Sequence, residues 1–325
     1  GDRGTMPGMT TGDRLRGGIF GLLVGDALGV PYEFHPATQI PATDEIEMVP
    51  PAGFARAHAG IAPGTWSDDG AQALVLLESL LRVGHLDVDD VGRGLVQWSD
   101  EGRYAVDRYV FDVGNQTGLA IRALRAGVPA ASSGPTDSRA NGNGSLMRVL
   151  PLALWHRGSD ADLAADAMAQ SAVTHGHLRS QVCCVLYCLL ARRLLQGMPP
   201  AQAWPAARAA FDEVYPAGSP EHDELVTHVF PDGAAYEIRG GGYVVESMRA
   251  AVALLLADDP LDYERVVKAA ISLGEDTDTT ACIAAGLAGI VAGEGGIPLR
   301  WRTALRGRDL VEPLADALVS WRGSA

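Results

Sequence analysis

Apolar residues recur at intervals of three and four along most of this chain, and alternating patterns are scarce, so its segments bury their faces as helices rather than as strands. Leu74, Leu77 and Leu81 form one such stripe, with Leu76 and Leu80 beside it. The spacing predicts helices near 13–29, 70–84, 89–101, 115–126, 144–156, 160–173, 177–196, 201–214, 243–257, 262–272, 279–292 and 308–321. The expected fold is therefore all-α, with many short helices. The breaks at 31–66, 127–143 and 215–242 are rich in Pro, Gly and acidic residues. The last is too long for a plain helix connection and reads as a lid or an insertion.

With 325 residues, 47% of them hydrophobic, the chain has enough material for a sizeable core. No repeat or compositional shift marks a boundary, so a single domain over 12–325 is expected, after a disordered leader or expression remnant over 1–11. Forty acidic residues against 26 basic ones give a net charge of -14, which argues against broad binding to nucleic acid or to an anionic membrane. The longest apolar runs, "VCCVLYCLLA" and "ACIAAGLAGIVAG", fall short of the ~20 residues a bilayer span needs. With no secretory signal visible, the cytoplasm is the expected compartment. Cys183, Cys184, Cys188 and Cys282 fit neither a zinc site nor a disulfide framework and are expected as reduced core thiols. The run Glu221, His222, Asp223, Glu224 is expected to be a solvated charge run.

Two acidic clusters stand apart. "GEDTDTT" (274–280) runs straight into an apolar helix, and "GTWSDDGAQAL" (64–74) sets Ser67, Asp68 and Asp69 at the start of another. Each cluster alone suits a helix cap. Together they place hydroxyls and two pairs of carboxylates at two helix starts, where burial of adjacent charges needs a compensating cation. Hard oxygen donors suit magnesium or manganese rather than zinc. Four Asp residues match the charge of about two divalent ions, so a binuclear centre where two helix N-termini meet is the economical expectation.

Seven blocks occur in order between about residues 12 and 292: "GGIFGLLVGDALGVPYEF", "GTWSDDGAQAL", "FDVGNQTGLAIRAL", "NGNGSLMRVLPLAL", "SAVTHGH", "GGYVVESMRAAVALL" and "GEDTDTTACIAAGLAGI". In these the chain resembles the ADP-ribosylglycohydrolases, the dinitrogenase reductase-activating glycohydrolase-like enzymes, whose relatives include a jellyfish crystallin. The resemblance implies a compact orthogonal multi-helix bundle with two magnesium or manganese ions at its centre, cleaving ADP-ribose from an acceptor. By motif position, Ser67, Asp68 and Asp69 match the first ligand set, and Asp276, Asp278 and Thr279 the second. Glu33 matches the family's flexible acidic residue, Asp112 a proposed general base, and Asp26 is expected as a structural partner. Gly142, Asn143, Gly144 and Ser145 form a loop whose amides suit a pyrophosphate, with Asn143 and Ser145 as phosphate and ribose contacts. His175 matches a cleft histidine, whereas His177 has no such match. Tyr243 is a candidate ligand contact and Trp66 a packing residue. Two departures stand out: Glu275 occupies a position where many relatives have Gly, and is expected to be exposed or outside the ligand set. Gly70 removes a hydroxyl that relatives carry.

The expected chemistry is metal-dependent glycosidic hydrolysis of an ADP-ribose conjugate, such as an ADP-ribosylated protein. Ribose hydroxyls would rest on the metals, and Glu33 or Asp112 would handle a proton. A non-catalytic ADP-ribose-binding or crystallin-like protein and a metal-dependent phosphohydrolase stay open as alternatives. The motifs leave the acceptor open among arginine, serine, poly-ADP-ribose and nucleic-acid linkages.

Overall fold

The computed structural model describes residues 8–323. Among them run fourteen α-helices: α1 (Thr11–Gly29), α2 (Asp68–Val83), α3 (Val88–Glu101), α4 (Asn115–Arg125), α5 (Leu150–Trp155), α6 (Asp160–Ala172), α7 (Leu178–Leu195), α8 (Pro200–Val214), α9 (Pro220–Glu224), α10 (Val244–Leu256), α11 (Tyr263–Ser272), α12 (Thr277–Ala292), α13 (Leu299–Ala304) and α14 (Arg308–Gly323). No strand forms among the described residues, which carry only isolated backbone bridges, Pro36 to Gly274 and Gly142 to Tyr243. The fold is all-α.

Local chemistry explains the helix ends. Thr10 and Asp13 exchange side-chain and backbone hydrogen bonds at the start of α1, a capping box that satisfies two otherwise unpaired amides. Helix α1 thus begins at Thr11, with Thr10 as its cap; residues 1–7, most of the expected leader, lie outside the described residues. The predicted helix 144–156 is confined to Leu150–Trp155, with turns before it. Pro151 has no N–H to donate into the preceding turn and suits a first-turn position, so the helix starts there. The long break at 215–242 contains α9 and a π-helical turn, Leu225–Val229, whose Leu225 and Val229 are buried. Within the charge run, Glu224 is half-buried and pairs with Arg179 at 2.7 Å.

Helices α1 and α12, from opposite ends of the chain, form the most intimate pair in the molecule. Gly17, Gly21, Gly25 and Gly29 recur every four residues along α1 and face α12. A methyl group on Gly21 would sit 2.7 Å from the Ala285 carbonyl oxygen, and one on Gly25 would sit 2.6 Å from that of Ala281. Only hydrogen side chains allow this backbone approach. Both helices are buried along nearly their full length, as is most of α7, whose Cys183, Cys184 and Cys188 are free core thiols, like Cys282 of α12. Where α1 ends and α12 begins, the Thr277 hydroxyl donates to the Gly29 carbonyl at 2.7 Å. The close packing carries the end of one helix to the start of the other.

Candidate functional site

Three helix ends meet at this point. Asp26, in the last turn of α1, accepts from Ser67 N–H and Gly70 N–H through Oδ2 (both 2.9 Å) and from the Ser67 hydroxyl through Oδ1 (2.8 Å). Asp26 therefore caps α2 from a different helix. Ser67 Oγ also accepts from Asp69 N–H at 3.3 Å. Gly70 is required by packing, since a methyl group there would lie 2.7 Å from Leu23 and 2.8 Å from Trp66. A side chain at this position has no room in this core. Trp66 itself is buried and donates to the Tyr104 carbonyl, a packing role as expected.

Asp68, Asp69 and Asp278 are buried, and their oxygens lack partners: Asp68 Oδ1, Asp69 Oδ2 and both oxygens of Asp278 have none in the protein. Burial pushes all three carboxyls well above the usual carboxylate range, and neighbouring carboxylates push further: Asp69 on Asp68, Asp26 and Asp276 on Asp69, Glu33 and Asp69 on Asp278. Asp276 is raised mainly by burial, which its contacts with Asp278 and Asn143 oppose; Asn143 Nδ2 donates to its Oδ2 at 2.8 Å. The Thr279 hydroxyl interacts with both Asp69 and Asp276. Carboxylate oxygens from Asp26, Asp69 and Asp278, from Glu33, Asp276 and Asp278, and from Asp68, Asp112 and Asp278 each converge within 4.8 Å. Orphaned, crowded, buried carboxylates are unstable unless protonated or neutralised by cations. This donor set, all hard oxygen, fits divalent cations of the magnesium class.

These acids open onto a cleft of about 580 Å³ lined by Asp68, Asp69, Asp276 and Thr279, by Glu33, Phe34 and Asp112, and by Gly142, Asn143, Gly144 and His175. On one wall Glu33 Oε2 meets His58 Nε2 at 2.8 Å, and the same nitrogen lies 3.9 Å from Asp112 Oδ1. Burial, then the Asp112 charge, pushes the Glu33 carboxyl up to about 11. Phe34, Asp112 and Glu275, all cleft-lining, have left-handed backbone at φ 66°, 64° and 60°, a conformation that favours Gly. At position 275 a glycine would take up this backbone without strain. Glu275 is exposed and is held by its backbone, its N–H donating to the His35 carbonyl and its carbonyl accepting from Phe34 N–H.

On the opposite wall the 142–145 loop is less free than its sequence suggests. Gly142 N–H donates to Gln116 Oε1 (2.7 Å) and Asn143 N–H to the Gly242 carbonyl (3.0 Å), so an anion cradle has only the amides from Gly144 onward. Ser145 is fully buried, bonded to Ser171, and is not among the residues that line the cleft. Gly144 lies against His175, where a methyl group would be 2.5 Å from the ring. Burial, then the Arg148 charge, takes His175 down to about 3, so the ring is neutral. Buried Arg148 donates to Thr174 Oγ1 (2.7 Å), and that hydroxyl lies 2.7 Å from His175 Nδ1. A guanidinium only donates, so the Thr174 hydrogen is left for Nδ1 and the ring hydrogen falls on Nε2.

The structure thus brings together Glu33, Asp112, Asp68, Asp69, Asp276, Thr279, Gly142, Asn143, Gly144 and His175 around one cleft, with Ser67 and Asp278 directly beneath. Tyr243 is not among the residues that line the cleft, although its backbone bridges Gly142 beside it, and its hydroxyl accepts from Arg179 at 2.9 Å. His177 caps α7. The sequence reading missed His58, which sits in a loop without periodicity. It also missed Gln116, whose Nε2 is buried without a partner, and Gly241 and Gly242, which end the 215–242 break as cleft wall. Gln116 lies inside the recognised block "FDVGNQT", and that position was its available signal.

Comparisons with known proteins identify the family. The chain is 29% identical over 308 residues to the ADP-ribosylarginine hydrolase Tri1 of Pseudomonas putida (strain GB-1), covering 94% of this chain and 78% of that protein. It is 30% identical over 302 residues to the ADP-ribosyl-[dinitrogen reductase] glycohydrolase of Rhodospirillum rubrum, covering 92% of each. A solved ADP-ribosylglycohydrolase-related protein complex superposes with a TM-score of 0.76 at 32% identity, covering 97% of this chain and 99% of that one. The family model described as ADP-ribosylglycohydrolase matches residues 7–324, and the chain belongs to that family.

Proposed function

We propose that this ADP-ribosylglycohydrolase cleaves the N-glycosidic bond between ADP-ribose and the guanidino group of an arginine side chain, with two magnesium or manganese ions. The observation that carries the cation requirement is the set of orphaned oxygens on Asp68, Asp69 and Asp278. Asp68, Asp69, Asp276, Asp278, Thr279 and a lone pair of Ser67 would hold the ions, which when bound neutralise these carboxylates and supply Lewis acidity toward ribose oxygens and a water. Arginine as acceptor is supported by the names of the Pseudomonas and Serratia relatives and by the carboxylates on the Asp112 wall, which suit a cationic leaving group.

The chain's own residues do the rest. Neutral His175, donating through Nε2, and the amide of Gly144 at the cleft wall orient the nucleotide. Asn143 fixes Asp276 and is itself held by Ser247. Asp112, more open than Glu33, accepts a proton from the attacking water and returns it to the leaving guanidino nitrogen, so ADP-ribose and the unmodified arginine side chain are the products. Carboxylates around the anomeric carbon stabilise its developing positive charge. Incubation of the protein with ADP-ribosylarginine and ADP-ribosylserine, with and without chelator, and mass analysis of products tests the reading. Chelator-sensitive release of ADP-ribose from arginine is expected. Chelator-insensitive turnover sinks the cation requirement, free phosphate as product points to a phosphohydrolase, and binding without turnover to a non-catalytic module.

A further inference from the structure

A second cavity of about 360 Å³ adjoins the cleft. Its walls include His58, Phe111 and Tyr109, and its floor is the chain Thr65, Arg306, Asp107, in which Arg306 donates to Thr65 Oγ1 at 2.9 Å and to Asp107 Oδ2 at 2.6 Å. His58 links the two spaces, for it lines the cavity and its Nε2 bonds Glu33, which lines the cleft. A line of rings runs between them: Phe34 to His58 at 5.5 Å, His58 to Phe111 at 5.1 Å and Phe111 to Tyr109 at 6.3 Å between centroids. The line begins at the cleft mouth and ends in the open, for Phe34 is 67% and Tyr109 61% exposed. In a chain with only 6% aromatic residues, two large rings left in water at the ends of one rail form a surface suited to binding.

The backbone is strained along the same path. His58, Tyr104, Asp107, Arg108 and Asp112 all adopt left-handed φ values between 50° and 64°, and they lie in the two loops that build the cavity. Left-handed non-glycine residues concentrate at ligand sites because surrounding structure must hold them there.

We propose that this aromatic groove binds the polypeptide flanking the modified side chain, so that the enzyme reads the acceptor protein and not only its ADP-ribose. The proposal rests on the hydrolase reading above. The rail leaves the cleft beside Asp112, whose Oδ1 lies 3.9 Å from His58 Nε2, the side on which the proposed mechanism puts the leaving acceptor. It is open at its far end, as a ligand that continues beyond the cavity requires, and spans at most roughly five extended residues. A nucleotide suits it poorly. Arg306 is already paired with Asp107, and Asp107, Asp112 and Glu275 along the route repel a pyrophosphate. The occupant is thus an extended peptide with an apolar or aromatic side chain close to the modified residue, set against Tyr109 and Phe111.

Two variants test it, Tyr109→Ala, which ends the rail, and Ala62→Trp, which fills the cavity from an exposed position. Each is assayed on an ADP-ribosylated peptide and on ADP-ribosylarginine, which has no flanking chain, with melting temperature as a check of folding. The expected result is a fall of about tenfold in kcat/KM for the peptide, carried by KM, with the small conjugate within about twofold of wild type and inhibition by free ADP-ribose unchanged. Equal losses on both substrates, or no loss on the peptide, overturn the groove while leaving the hydrolase reading intact. Weakened ADP-ribose inhibition overturns it in favour of a nucleotide occupant. Wild-type protein that cleaves neither conjugate removes the hydrolase reading and the groove with it.

Discussion

Asp26 of α1 and Ser67 at the start of α2 are joined twice, through the Ser67 N–H and the Ser67 hydroxyl, while the same carboxylate accepts from Gly70 N–H. Burial raises Asp26 to about 7, against these three donors. The carboxylate thus fixes where Asp68 and Asp69 project, through the backbone between Ser67 and Gly70.

Asp26→Asn and Asp26→Ala should therefore differ sharply. An Asn oxygen still accepts from both amides, and the Ser67 hydroxyl can turn to accept from the new NH2, so a loss of under about 1 kcal/mol is expected. Ala leaves two buried amides without an acceptor and frays the start of α2, at a cost of about 2–4 kcal/mol. Urea denaturation measures both. Equal losses in the two variants would mean that the cap is not the role of Asp26.

Asp278 has both carboxylate oxygens buried and unpaired, so its charge opposes folding when no cation is present. Asp278→Asn is expected to stabilise the chelated protein by about 1–3 kcal/mol. It should also abolish stabilisation by magnesium and lower kcat/KM by about a hundredfold or more. A ligand role and a structural role separate here, because a structural aspartate would lose stability on the same substitution.

The pH dependence follows from the same acids. Their folded values lie above the ordinary carboxylate range, Asp26 at about 7 and Asp68, Asp69 and Asp278 well raised. Between the ordinary range and those raised values the folded state holds more protons than the unfolded one, so their contribution is fully present at acidic pH and is lost as pH rises through the folded values. Chelated protein should then melt at lower temperature as pH rises from about 5 to 8. Magnesium competes with these protons, so its stabilising effect should grow over the same interval. Thermal melts in chelator and in excess magnesium check this, and parallel slopes in the two conditions would contradict it.

The sequence carried the helices and the two acid clusters because both are local: a 3.6-residue stripe and a polar helix start are visible in a few consecutive residues. It did not carry what depends on a partner. Gly17, Gly21, Gly25 and Gly29 of α1 stand in plain view at every fourth position, yet only the fold reveals that α12 is what they approach. Ser145 sits in a block that resembles a phosphate loop, but its neighbours Ser171 and Cys184 bury it. His58 lies in an aperiodic loop, and its place between Glu33 and Asp112 exists only in three dimensions. Glu275 holds a left-handed φ of 60°, and that backbone demand is not legible in the letters.

Glycine spacing gives the last prediction, because α1 and α4 place the same residue in opposite settings. At Gly21 a methyl group meets the Ala285 carbonyl at 2.7 Å, and at Gly29 it meets the Thr277 carbonyl at 2.5 Å, whereas Gly118 of α4 has open space around it. Gly21→Ala and Gly29→Ala should each destabilise by about 2–3 kcal/mol, since backbone rather than a flexible side chain must give way. Gly118→Ala should stabilise by about 0.5–1 kcal/mol through helix propensity alone. The two α1 variants should also differ from each other. Gly29 abuts the first turn of α12, so its substitution shifts Asp278 relative to Asp69 and weakens the magnesium-induced rise in melting temperature; Gly21 lies two turns away and should leave that rise nearly intact. If Gly29→Ala kept the full magnesium effect despite its lost stability, the close approach of α1 and α12 would hold the core together without setting the geometry of the acids.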